Sequence, residues 1–534
     1  MIAALLIPVL ALDGEVGSQA CAGCHAEIYK SYMRTAMARS SGRVTGASKR
    51  LPLPTGFMDP SGQVSYKITA AREVYRMEFS RAGTEVKGFR LLEWFVGSGA
   101  VGHSFLFTRD GYFFQAPAAH YTYEDRWDLS PGYQNRPNID LTRGVEPACL
   151  NCHASRISLV PGTLNKYNDP AFAEGGVSCE RCHGPGANHV AKMTDPSIIG
   201  PIAIVNPKKL DPARRESVCA QCHLTGVARV ARYGSKGYKP GDKLSDHSAV
   251  FVWSNSDPSA MTATGHFEKL ALSACWQGAR DKLWCGTCHD PHSEPAPAVR
   301  AAFYRDKCQT CHQPEACAAP AAARRKAKDD CAGCHMPKGP VRDVNHVVYT
   351  DHTIPRQLPR LRPSRATPRV LIPFGRPEPT AERDLGLAIP IAYPGDRKAA
   401  GIARGILEKA VADNPRDYAA ASQLAMLLDQ AGEEDRVATL LESVVAGDPT
   451  RVSAAVNLGI LRAKRGRLAE AMELWEDALK RAPAITAARV NLAVAKFRTG
   501  DASGAEKEAA TALEYDPDNE SARKLLAEIK NAKR

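Results

Sequence analysis

Three observations predict a mainly α chain in two parts. All cysteines lie before residue 355, an internal repeat begins near residue 399, and one aromatic and β-branched stretch at about 62–117 sits within the cysteine-bearing part. The expected architecture is an irregular cysteine-rich region of short helices and loops with a small antiparallel β insertion at about 62–117, followed by an α-solenoid.

The cysteines set the first part. Of 16 in the 534 residues, fourteen fall into seven copies of Cys-x-x-Cys-His: Cys21/Cys24/His25, Cys149/Cys152/His153, Cys179/Cys182/His183, Cys219/Cys222/His223, Cys285/Cys288/His289, Cys308/Cys311/His312 and Cys331/Cys334/His335. This is the attachment signature of c-type haem. Cysteines at i and i+3 share one face of a helical turn, so their sulfurs reach the two vinyl groups of one porphyrin, and the following histidine reaches the iron. Structural zinc also uses Cys-x-x-Cys, but it gathers four ligands from paired motifs and has no need of a histidine after every pair. The region 21–355 is therefore read as a heptahaem cytochrome c domain. Its short helices and loops are expected to wrap the porphyrins. Cys275 and Cys317 remain, and in an oxidising compartment they are expected to pair as a disulfide.

Charge agrees with this reading. The formal balance of +12 by itself suggests a nucleic-acid or membrane-surface partner, but two propionates per haem add about −14 for seven haems and leave roughly −2. The excess Lys and Arg are read as propionate partners, and no nucleic-acid partner is expected. The apolar run at 2–12, "IAALLIPVLAL", is too short to span a bilayer comfortably and precedes small residues, so residues 1–20 are read as a signal peptide. Covalent haem attachment takes place outside the cytoplasm, so a periplasmic or cell-surface location follows. Membrane contact is expected only through this segment if it is not cleaved.

The β insertion rests on "VSYKITA", "VYRMEFS" and "HSFLFTRDGYFFQAP", with Asp110-Gly111 as a hairpin turn. Residues 356–398 are rich in proline and arginine, which predicts an extended linker without long helices. From 399 to 534 the composition turns to Ala, Leu, Glu and Lys. Pro415, Pro449, Pro483 and Pro517 are spaced by 34 residues, as are Gly432, Gly466 and Gly500 and also Leu424, Leu458 and Leu492. That is the tetratricopeptide period. Such repeats imply docking of a protein partner.

The cysteine-rich region resembles the multihaem cytochromes related to the tetrahaem cytochrome c of ammonia oxidisers. "CAGCHAEIYKSYMRTAMARS", "WDLSPGY", "GVSCERCHGPGANHV", "CGTCHDPH" and "CAGCHMP" followed by "NHVVYTDHTIPR" carry the resemblance. It implies closely packed haems that transfer electrons, with most irons taking a second axial ligand from a distant part of the chain. Pro291 is expected to swing His292 away from the haem that His289 serves, to cap a neighbour's iron. His189 and His266 match the same role in relatives, and His346 and His352 are similar candidates. Met37 stands where relatives carry a ligand histidine, so it is either an axial ligand or packing; His103 or His120 is the alternative, and His247 the least favoured. Pentahaem nitrite reductases, which are related, replace one motif histidine by lysine, and this chain does not. The expected function is thus electron carriage to redox partner proteins. The alternative is a reductase of a small nitrogen or sulfur oxyanion or hydroxylamine at one open haem, near Tyr121, Tyr123 or Arg126.

Overall fold

The computed structural model describes residues 14–44, 51–134, 138–195, 197–198, 204–254, 261–356, 369–375 and 381–532. The apolar run at 2–12 lies outside them. Among the described residues no helix is long and apolar enough to cross a membrane.

The expectation of a mainly α chain is corrected. The chain is 43% helix and 19% strand, and among the described residues the strands form five separate antiparallel sheets. The single small insertion at 62–117 becomes two sheets. One has five strands, in the order Ser41–Arg43, Trp94–Val96, Gly102–Arg109, Tyr112–Tyr121, Arg126–Leu129; the other has four, Thr55–Met58, Val64–Ala71, Val74–Arg81 and Lys87–Leu92. The period of two is plain in the four-stranded sheet, where Val64, Tyr66 and Ile68 are buried while Lys67 between them is exposed. Both sheets close on one aromatic core that includes Phe105, Phe107, Phe114 and Trp127. Asp110 and Gly111 have φ of 52° and 79°, the paired positive values that a tight hairpin turn needs.

Three further small sheets brace the motif region. Ala154–Leu159 pairs with Tyr167–Gly175, Lys338–Pro340 pairs with Val348–Thr350, and Ser248–Trp253 lies between Ala228–Ala231 and Leu371–Pro373. Leu371–Pro373 falls inside the expected linker. So does the helix Ala381–Ala392, which buries Ala388 and Ile389 against the repeats. The Pro/Arg composition had argued against such a helix, but residues 381–389 contain no proline, and apolar burial stabilises the helix there.

After Arg397–Asp413, three helix pairs follow: Tyr418–Asp429 with Glu434–Gly447, Val452–Lys464 with Leu468–Arg481, and Thr486–Arg498 with Ala502–Tyr515. Glu520–Ala532 closes the array. Trp475 explains why the middle repeat is the clearest in sequence. Its indole is 3% exposed, donates to the Val456 carbonyl at 3.1 Å and lies flat against Gly459, where a Cβ would come within 2.4 Å of Nε1.

Candidate haem-attachment site

Each motif is carried on a short turn of helix or its end. At Cys21, Cys179, Cys285 and Cys308 the backbone carbonyl accepts from the N–H of the motif histidine at 2.9–3.0 Å, which closes one α-turn around the three functional side chains. The motifs meet in pairs. The thiols of Cys21 and Cys179, Cys152 and Cys222, Cys219 and Cys285, and Cys308 and Cys331 are neighbours that perturb one another. Burial, with Cys179 beside it, pushes Cys21 up to about 12, whereas donation from Cys222 draws Cys152 down to about 7. Glu180, inside the third motif, ties its turn to the first. Its carboxylate accepts from the backbone N–H groups of Val16, Gly17 and Gly186 at 2.7–2.8 Å.

The histidines also meet in pairs. His183 faces His292 with ring centroids 6.0 Å apart and planes within 10°. His289 faces His352 at 6.3 Å, and His223 faces His266 at 5.3 Å. Metal–imidazole bonds of about 2 Å on either side of one ion, plus the ring half-widths, set two centroids roughly 6 Å apart. The His183–His292 and His289–His352 spacings match this, whereas the His266 ring stands edge-on, 5.3 Å from His223 and 5.1 Å from His352. Among the described residues no three or more His, Cys, Asp and Glu side chains converge as a metal cluster.

Tautomers and charge suit the same role. His183 Nδ1 lies 2.7 Å from the Val205 carbonyl, His335 Nδ1 3.0 Å from that of Pro355 and His352 Nδ1 2.9 Å from that of Thr350, while His289 Nδ1 meets the Tyr304 hydroxyl at 3.2 Å. Each bond assigns the proton to Nδ1, or at His289 occupies it, and leaves Nε2 for a metal. Burial holds His289 down at about 4 and His266 at about 3, and lowers His153, His223, His292 and His352. They stand as neutral imidazoles, the form that binds metals.

Motif residues are exposed at several places, His223 and His289 among them. Cys24 and His25 are exposed in the first, Cys311 and His312 in the sixth, and Cys334 in the seventh. Among the described residues no aromatic or imidazole ring faces His25 or His312, in contrast to His183, His223 and His289. The first cysteines of these motifs are half-buried beside neighbours, Cys21 beside Cys179 and Cys308 beside Cys331. His25 precedes the surface helix Ala26–Tyr32, and His312 lies in the exposed stretch 309–323. The assignment of Cys24, His25, His312 and Cys334 to haem therefore rests on their motifs alone, without a distal imidazole beside them. Cys149, in the second motif, is also exposed, while His153 is half-buried.

Other expected ligands fare differently. His346 has both nitrogens engaged, Nδ1 with Glu124 at 2.9 Å and Nε2 with Asp128 at 2.8 Å, so neither is free for iron. His247 is likewise held at both nitrogens, by Ser235 and Asp242. His120 Nε2 meets Asp125 at 2.9 Å, with Nδ1 buried and unpartnered. His103, its cross-strand neighbour, keeps Nδ1 buried without a partner and is held down at about 4 by burial. His189 also has an unpartnered buried Nδ1. Met37 adjoins the second and third motifs: its carbonyl accepts from Val177 N–H, and Ser40, three residues on, donates to the His153 carbonyl. Of the residues suggested for an open-haem pocket, Tyr121 donates to the Leu129 carbonyl, Arg126 pairs with Asp128, and Tyr123 is exposed.

The expected Cys275–Cys317 disulfide is not formed, and both are free thiols. Cys275, on the helix Ala274–Ala279, lies near Cys311 and Cys288, whereas Cys317 lies near Cys331, so the two sit against different motifs.

Residues 120–184 match the family model for cytochrome c554 and c-prime. This span holds the second and third motifs, and the match implies covalently bound haem c. Residues 462–529 match a tetratricopeptide repeat model, a module that generally mediates protein–protein interaction. No curated protein matches the chain. Among solved structures, MamA from Desulfovibrio magneticus RS-1 is 20% identical over 26% of this chain and 77% of its own, with a TM-score of 0.24. MamA AMB-1 is 24% identical over 28% and 86%, at 0.25. The first repeat domain of Spaghetti (RPAP3), bound to an HSP90 peptide, is 19% identical over 22% and 91%, at 0.21.

Proposed function

We propose that the chain is an extracytoplasmic multihaem c-type cytochrome that carries electrons along haems held at its seven Cys-x-x-Cys-His motifs, delivering them to a redox partner protein. The facing imidazoles of His183 and His292 carry this reading. A motif histidine and a distant histidine meet at the separation that two axial ligands of one iron require. Bound haem supplies one-electron iron chemistry.

The chain's own residues do the rest. The motif cysteines anchor, and the Nδ1 partners aim Nε2. Where the imidazoles are buried, they stay unprotonated and water is kept away. His292 serves the motif at Cys179, His266 that at Cys219 and His352 that at Cys285. His103 is the reading for the motif at Cys149, because Ser40 joins its neighbourhood to His153: the Ser40 carbonyl accepts from Gly97 N–H at 2.7 Å. His189 and Met37 remain for the other irons. The location outside the cytoplasm rests on the chemistry of haem attachment and on the apolar run at 2–12.

Low-temperature EPR of the oxidised protein tests the reading. Low-spin signals from doubly ligated irons support it, while a spectrum dominated by high-spin iron would overturn it.

A further inference from the structure

Tetratricopeptide arrays ordinarily present their surfaces to other proteins. Here one edge of the array is already occupied. The loops that join the second helix of one repeat to the first helix of the next recur with the 34-residue period at 414–417, 448–451, 482–485 and 516–519. Three of the four neighbourhoods are built into the remainder of the chain.

At the first, Asp417 accepts from Arg383 at 2.7 and 2.9 Å. Arg383 also donates to the Ala231 carbonyl, and the adjoining Asp384 pairs with Arg232 at 2.8 Å. All four side chains are largely buried. Strand Leu371–Pro373 pairs with Phe251–Trp253 beside them. At the third, Tyr112 donates to the Lys480 carbonyl at 2.6 Å, Leu164 N–H to that of Arg481 at 3.1 Å, and Ala484 enters the aromatic core of the sheets. At the fourth, Arg81 grips Asp518 at 2.7 and 2.6 Å, and Ile139 N–H donates to the same carboxylate at 2.8 Å. Leu141 N–H donates to the Tyr515 carbonyl at 3.0 Å, and the Tyr515 ring is buried in the sheet core.

We propose that the repeat array is an intramolecular brace, its partner along this edge being the chain's own sheet region. The two anchored regions bear directly on the motifs. The chain runs from Leu141 into Cys149, and from Cys222 into Ala228, and the Cys152 and Cys222 thiols lie in one neighbourhood. The brace fixes both flanks of the contact between the second and fourth motifs. An external partner therefore meets the array on its other surfaces.

The experiment places a site-specific protease sequence between residues 357 and 368 of the full-length protein, cleaves it, and follows the halves by size-exclusion chromatography and gel electrophoresis. The expected result is that the two halves co-elute after cleavage. Asp384→Ala with Asp518→Ala removes the carboxylates that pair with Arg232 and Arg81 across the cut, so the cleaved halves of that variant separate. Arg81→Met with Asp518→Leu replaces an ion pair by apolar groups of similar size, and its halves remain together. Separation of the unsubstituted halves overturns the brace. Co-elution of the Asp384→Ala, Asp518→Ala halves overturns the assignment to these ion pairs. Neither readout depends on haem, so failure here is distinct from failure of the cytochrome reading.

Discussion

The imidazoles of His183 and His292 stand 6.0 Å apart, centroid to centroid, although 109 positions separate them in the chain (292 − 183). Three residues before His292, His289 faces His352 instead. One segment thus places its two histidines against different partners, because Pro291 and the Asp290 side chain, which accepts from His292 N–H at 2.9 Å, turn the chain between them.

His292→Ala removes one axial ligand and leaves Cys179, Cys182 and His183 in place. The haem count is expected to stay constant while one iron becomes high-spin by EPR. His352→Ala is expected to do the same to a second iron, and the double variant to both. An unchanged spectrum for either single variant removes that residue from the ligand set.

A pyridine haemochrome assay against protein mass is expected to give seven haems per chain, one for each motif. A value of six or fewer means that at least one motif stays unmodified, and peptide mass spectrometry would identify it. The motif at Cys308 is the first to inspect, since its thiol sits against Cys331 while Cys311 and His312 are exposed.

Glu216 lies one turn before Cys219 on the helix Pro212–His223, half-buried, and burial raises its carboxyl to about 7. A folded pKa above the unfolded value means that the native state binds the extra proton. Stability from this group is full below about 4.5 and is lost as pH rises to about 7. Glu216→Gln is therefore expected to melt higher than the parent at pH 8, by on the order of 1–2 kcal/mol after allowance for solvent screening, and to match it near pH 4. Equal melting temperatures at pH 8 would discard the argument.

Cys275 and Cys317 are expected to be alkylated independently in the native, unreduced protein, with exposed Cys317 reacting faster than half-buried Cys275. A non-reduced peptide linking the two would contradict their separation.

Gly459→Ala drives a methyl group into the Trp475 indole, which is fixed by its bond to Val456. Overpacking of this kind costs about 1–3 kcal/mol. Chemical denaturation followed by Trp fluorescence should show the loss; an unchanged midpoint would mean that the helices separate without strain.

The sequence by itself determined whatever is written in local spacing. The seven motifs, the 34-residue repeat and the Asp110-Gly111 turn each depend on residues a few positions apart, where one helical turn or one hairpin fixes the geometry. Tertiary structure decided the rest. Leu371–Pro373 becomes a strand only because Phe251–Trp253 offers it a partner, and Ala381–Ala392 becomes a helix where it can bury Ala388 and Ile389. The seven motifs read alike, yet the His289 ring stands against that of His352 while, among the described residues, no ring faces His25 or His312. The free histidines also looked alike in sequence, but His292 and His352 face other imidazoles while both nitrogens of His346 are taken by Glu124 and Asp128. Cys275 and Cys317 fell to different motifs for the same reason. Which groups meet across a hundred residues depends on how the sheets and repeats pack against one another, and local periodicity carries no record of that packing.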